Sequence, residues 1–137
     1  MLKIITISLV LFASTCFSQT VNKKILGKWI CCQKIELLNK FDTLTFVKED
    51  TAAISTCIRK NCHYTQWNFE KNNGGLKLLI YIHKGCKGAA VVNTSVTSDG
   101  NWSMDKKNVL TIFDDHYTKH VFEVTFSANE IKLNRIK

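Results

Sequence analysis

Along much of the chain apolar and polar side chains alternate, the pattern of strands that bury one face. In 63–70, His63, Thr65, Trp67 and Phe69 fall on one side, and Tyr64, Gln66, Asn68 and Glu70 on the other. Leu76, Leu78, Ile80 and Ile82 share a face, as do Phe122, Val124 and Phe126, and Ile131 with Leu133. Short segments rich in Val, Ile, Thr and aromatic residues, divided by Gly, Asn, Asp and Lys clusters, predict strands. They are 28–36, 43–48, 51–57, 62–71, 76–83, 91–97, 101–104, 109–114, 119–126 and 130–136. Asp99-Gly100 is a type I′ hairpin signal, because both central residues must accept positive φ. Asn72-Asn73-Gly74-Gly75 is a looser turn, and Asp105-Lys106-Lys107-Asn108 a polar loop. Only 21–26 suggests a helical turn. Strands without covering helices must bury one face against another sheet or against themselves, so the class is an all-β sandwich or barrel. Closure also removes exposed edges.

The N-terminus breaks this pattern. Met1-Leu2-Lys3 carries one positive charge, an apolar run follows from Ile4 to Ala13, and small residues lead to Phe17-Ser18-Gln19. That order reads as a secretory signal, residues 1–18, ahead of a single domain, residues 19–137. The apolar run is too short for a spanning helix. Cys16 also permits a lipid anchor on that cysteine, although Ala13 and Thr15 match a lipoprotein signal poorly.

Composition narrows the class further. With 45% hydrophobic and 22% charged residues, the chain is neither disordered nor a membrane bundle. Removing residues 1–18 leaves 119 residues, five cysteines and a net charge of +7. The charge is mostly lysine placed in turns, and only Arg59 and Arg135 are arginines, so a nucleic-acid reader is disfavoured. It reads as a solvated surface. Five cysteines in an oxidising compartment allow at most two bridges and one leftover thiol.

Ile25-Leu26-Gly27-Lys28-Trp29 resembles the G-x-W opening of the calycin superfamily, and Gly100-Asn101-Trp102-Ser103-Met104-Asp105 with 108–112 resembles small lipocalin-like domains of secreted bacterial proteins. The stretch 122–133 is similar to their final hairpin. The resemblance implies an antiparallel up-and-down β-barrel, lipocalin-like, of about eight strands, so some of the ten short segments must merge or fail. It also implies a structural signature of Gly27, Trp29 and Arg135, with the arginine packed over the opening indole.

Candidate chemistry is sparse. Cys57 and Cys62 bracket four residues, so a hairpin there would set them opposite each other at disulfide distance. Cys31 and Cys32 point to opposite faces; only one can meet Cys86, and the other is left over. A metal site would want C-x-x-C pairs, which do not occur. Asp114-Asp115-His116-Tyr117 and His120 form the densest group of possible ligands, but the region reads as a polar hairpin loop. His63 and His83 lie in strands, where either could meet a polar ligand head or serve as a hydrogen-bonded barrel histidine. No nucleophile elbow, H-E-x-x-H, P-loop or G-x-G-x-x-G is present, so neither catalytic residues nor a cofactor are assigned.

The expected function is therefore a secreted or periplasmic binder of a small apolar ligand, with Phe46, Trp67, Phe69, Phe113 and Phe122 lining an apolar cup. The alternative is a filled barrel that acts as a protein-interaction module, an envelope-complex subunit or a protease inhibitor. The intact mass of the exported protein is expected to correspond to residues 19–137, beginning at Gln19. An acylated N-terminus at Cys16 would instead identify a lipoprotein.

Overall fold

The computed structural model describes residues 23–35, 38–72, 75–86 and 93–137. The signal segment and Cys16 lie outside the described residues, as do positions 21 and 22 of the predicted turn at 21–26; its remainder does turn, the Leu26 amide donating to the Lys23 carbonyl at 3.3 Å. Eight antiparallel strands close into a barrel: β1 (Gly27–Cys31), β2 (Thr43–Lys48), β3 (His63–Asn72), β4 (Gly75–Lys84), β5 (Asn93–Met104), β6 (Val109–Phe113), β7 (Lys119–Phe126) and β8 (Glu130–Arg135). A short 3-10 turn covers Leu38–Lys40, and one helix, α1 (Thr51–Asn61), stands between β2 and β3.

Strands β3 to β8 run up and down in chain order, and β8 pairs with β2. The first strand sits between β2 and β3, with Trp29 opposite both Lys48 and Trp67. Antiparallel to both neighbours, β1 makes β2 and β3 parallel to each other. Parallel strands cannot be joined by a tight turn and need a crossover of about a dozen residues. The fourteen residues between Lys48 and His63 supply it, and α1 occupies most of them.

Residues 51–57, expected as a strand, are thus helical. The Asp50 side chain caps the helix by accepting from the Ala53 amide at 2.7 Å, and Arg59 and Lys60 complement the dipole in the last turn. Cys62 ends it in the left-handed conformation at φ 57°, its amide donating to the Ile58 carbonyl. The apolar side of α1, Ala53, Ile54, Cys57 and Ile58, packs outside the barrel on Ile30 and Tyr64.

The helix also overturns the Cys57–Cys62 bridge. Residues five apart on a helix project about 140° from each other, so these thiols diverge. Cys57 instead bonds Cys32, just beyond β1, and Cys62 bonds Cys86, just beyond β4. The second pair follows from register: His63 lies opposite Lys84, so the strands bring the flanking cysteines together. Cys31 is the leftover thiol; it is buried, and burial pushes its pKa up despite the Gln33 amide nearby.

A further difference lies in β5. The segments expected at 91–97 and 101–104 merge into one strand, and Asp99-Gly100 makes no hairpin. Gly100 answers a close approach instead: a Cβ there would lie 2.4 Å from the Phe113 carbonyl oxygen. The Asp105–Asn108 loop forms as expected, with the Asp105 carboxylate accepting from the Lys107 and Val109 amides. The first strand stops at Cys31, short of the predicted 28–36.

Nonreducing peptide maps are expected to link Cys32 with Cys57 and Cys62 with Cys86, with Cys31 alkylated only after unfolding. Replacing both Cys32 and Cys57 by alanine is expected to cost about 3 kcal/mol, read from the urea midpoint.

Candidate functional site

Four of the five expected cup residues point inward. Phe46, Trp67, Phe69 and Phe122 are each at most 1% exposed. Three of them meet ring to ring, Phe46 and Trp67 with centroids 4.7 Å apart and Trp67 and Phe69 6.0 Å, while Phe69 stands edge-on to Trp102 at 5.4 Å and Phe122 joins the same cluster. Such pairs add roughly 0.5–1.5 kcal/mol each beyond their buried area. Leu44, Leu78, Ile80, Leu110, Ile112 and Leu133 complete the same cluster.

Phe113 is a correction. It is 40% exposed on the outside of β6, because Leu110 and Ile112 take the inward phase. Tyr117 and Ile136 are also exposed at this rim, and the Ile136 amide donates to the Val121 carbonyl beside β6.

Both ends of the barrel are covered. At one end the chain after β1 folds over the interior, burying Ile35 and Leu38. The Ile35 amide donates to Thr65 Oγ1 at 3.0 Å, and that hydroxyl donates to the Gln33 carbonyl at 2.7 Å. Arg135 ties the segment down, with Nε donating to the Phe41 carbonyl at 2.9 Å and Nη2 to the Leu38 carbonyl. At the opposite end lie Ile25 and Trp29, the indole N–H donating to the Ile25 carbonyl at 2.8 Å.

The expected packing of Arg135 on Trp29 is therefore corrected as well. Arg135 follows Leu133 at the far end of β8, opposite the start of β2, whereas Trp29 pairs with the end of β2. The guanidinium lies 4.8 Å from the Phe122 ring centroid, and Lys48 takes the cationic place over Trp29 at 5.8 Å. Gly27 opens β1 at φ +110°, a conformation other residues resist.

The Asp114–His120 region forms a polar chain under the covering segment. His120 is 4% exposed; its Nε2 lies 3.0 Å from Asp114 Oδ2, and its Nδ1 3.4 Å from Arg135 Nη1. A neutral imidazole satisfies both, donating to the carboxylate and accepting from the guanidinium. Asp114 Oδ1 also accepts from the His116 and Thr118 amides, both at 2.9 Å. Burial pushes the Asp114 carboxyl up, but its hydrogen bonds from His120 and the two amides outweigh this and hold it below its ordinary 3.8. His116 stays exposed on the loop, so the two histidines do not converge.

His83 lies outside the barrel, where its Nε2 meets Gln66 Oε1 at 2.7 Å and its Nδ1 meets Thr94 Oγ1 at 2.9 Å. Its ring stacks on Tyr64 at 4.5 Å. Burial lowers its pKa, opposed by Glu49 and reinforced by Lys28. Among the described residues no group of three or more His, Cys, Asp or Glu is arranged to hold a metal, and no helix is long and apolar enough to cross a membrane.

Inside the barrel one polar atom stands apart. Trp102 donates its indole N–H to the Lys77 carbonyl at 3.0 Å, but the buried Trp67 Nε1 has no partner among the described residues. Such a group costs about 1–3 kcal/mol.

Comparison with family models, curated proteins and solved structures returns no match.

Because the folded pKa of Asp114 lies below its unfolded value, its stabilisation is complete above 3.8 and is lost as pH falls through the folded pKa. Asp114→Asn is expected to flatten the fall in Tm between about pH 5 and pH 2, followed by circular dichroism melts.

Proposed function

We propose that this protein is a non-catalytic, lipocalin-like module that works from its outer surface on a protein partner in an oxidising, extracytoplasmic compartment, its barrel serving as a filled scaffold. The observation that carries this reading is the disposition of the aromatic rings. Those in phase with the interior pack on one another under two covered ends, while Phe113 and Tyr117 stand exposed at one rim. Filling by side chains is the normal state of small eight-stranded barrels. Exposed aromatic residues, in turn, are enriched where partners bind. The two disulfides suit the compartment.

A second reading places a small ligand inside. It rests on the unpartnered Trp67 Nε1, a donor that a guest with an acceptor atom would satisfy.

One set of measurements separates the two. The mass of the purified protein under non-denaturing conditions is expected to equal that of the disulfide-bonded polypeptide, and the neutral probe N-phenyl-1-naphthylamine is expected to show no saturable binding. Phe113→Ser with Tyr117→Ser is expected to abolish capture of a partner from envelope extracts without lowering Tm. A co-purifying small molecule released by organic extraction, with saturable probe binding that it competes, would overturn the filled scaffold in favour of the internal ligand.

A further inference from the structure

The seam between β1 and β2 is shorter than β2 itself. β8 pairs with β2 from Thr43 to Val47, whereas β1 pairs with it only at Val47 and Lys48. Backbone groups of an antiparallel strand alternate between its two neighbours. Even-numbered positions of this stretch face β8: the Arg135 amide donates to the Asp42 carbonyl at 2.7 Å, and the Lys48 amide to the Asn129 carbonyl at 2.9 Å. Odd-numbered positions face β1, the Glu49 amide donating to the Lys28 carbonyl at 3.1 Å. Past Val47 this side runs on to Thr45 and Thr43, whose backbone groups have no backbone partner among the described residues.

The chain of β1 is drawn away before it reaches them. Continued register would set Cys32 opposite Thr45. Instead the Cys32 side chain bonds Cys57, and its carbonyl accepts from Asn61 Nδ2 at 3.3 Å, both partners lying on α1. The Gln33 carbonyl accepts from the Thr65 hydroxyl at 2.7 Å. The strands therefore splay and leave a cleft of about 300 Å³, with Ile30, Cys32 and Gln33 on one side and Thr43, Thr45 and Val47 on the other. Both threonines and Val47 are exposed, and none of the lining side chains is charged. An unpaired strand edge is a template for another extended chain. Because Cys32 and Gln33 wall the cleft opposite that edge, it admits one extended chain and not the flank of a second barrel. An uncharged lining suits a neutral segment, since a charge seated there would lose water and gain no partner.

We propose that this cleft takes up a neutral extended segment of a protein partner, which pairs antiparallel with the free edge of β2 and continues the row that β1 leaves. Residues opposite Thr45 and Thr43 exchange backbone hydrogen bonds with them and carry β-branched side chains outward. The residue between them faces inward beside Leu44, which is 1% exposed, so it must be small. The proposal rests on the reading of the protein as a module for a protein partner and says how that partner is held.

The probe is a blocked pentapeptide, Thr-Val-Ala-Val-Thr, and the readout is amide exchange by NMR. In the free protein the Thr43 and Thr45 amides are expected to exchange at least tenfold faster than those of Leu44 and Phe46, which face β8. Saturating peptide is expected to slow Thr43 and Thr45 at least tenfold. Methylating both valine nitrogens removes the peptide donors that face β2 and is expected to weaken binding at least tenfold. Thr45→Pro removes a donor that faces only the cleft, and is expected to abolish peptide binding with the Leu44 and Phe46 amides still protected. Thr43 and Thr45 amides already protected in the free monomer, no saturable binding, or equal binding of the methylated peptide would overturn the proposal. Protection without peptide in a sedimenting dimer would assign the edge to a second copy and overturn it too. If the pentapeptide fails while Phe113→Ser with Tyr117→Ser still abolishes partner capture, the cleft alone is lost; if both fail, the module reading falls with it.

Discussion

The hydrogen bonding of β1 to both β2 and β3 is the constraint from which the rest of the architecture follows. Its antiparallel pairing on each side makes its two neighbours parallel and forbids a short turn between them. The connecting chain must leave the sheet, cross outside and return. Asp50, Ala52 and Ala53 start a helix at the point where it leaves, and Cys62 ends it where β3 begins. The helix then needs an apolar floor, which Ile30 and Tyr64 provide on the outer face of the very strands it bridges. Both disulfides fasten this crossover, one from β1 to the middle of α1 and one from its C-cap to the end of β4.

The same closure decides what the inside can do. Small barrels leave an interior about as wide as the side chains that point into it. Trp67, Phe46, Phe69 and Phe122 all take the inward phase, and the first three pack ring against ring. Arg135 shows how the covered end is kept satisfied. Turned inward at the top of β8, it supplies donors to the carbonyls of Phe41 and Leu38, which the covering segment would otherwise bury without partners. The aromatic residues left outside lie at one rim, where Phe113 and Tyr117 are exposed.

Much of this was legible from spacing. The alternation in 63–70 and 76–83 gave the inward and outward faces of β3 and β4 correctly, including the interior rings of Trp67 and Phe69. Phe113 failed because a five-residue strand carries too few positions to set its phase, and its neighbours Leu110 and Ile112 took the inward one. The helix was missed because Thr, Ile and Cys in 51–57 look strand-like, while the decisive signal was the Asp50 cap just before them. A strand at 51–57 would set Cys57 and Cys62 across a hairpin, whereas the helix turns them apart, so the cysteine pairing hangs on that one cap. Gly100 carried a turn signal for a different reason, since a glycine needed for close approach to Phe113 looks the same in sequence as one needed for positive φ.

By itself, then, the sequence determined that the chain forms antiparallel strands closing on a shared apolar face, and which side of the long strands that face lies on. Both properties are local, arising from the two-residue period of a strand and from turn chemistry. Tertiary structure alone decided which strands are neighbours, which cysteines pair, and that Arg135 meets Phe122 and His120 while Lys48 meets Trp29. Those outcomes depend on register and crossover between segments dozens of residues apart, where the free energy is that of closure and packing and no local pattern records it.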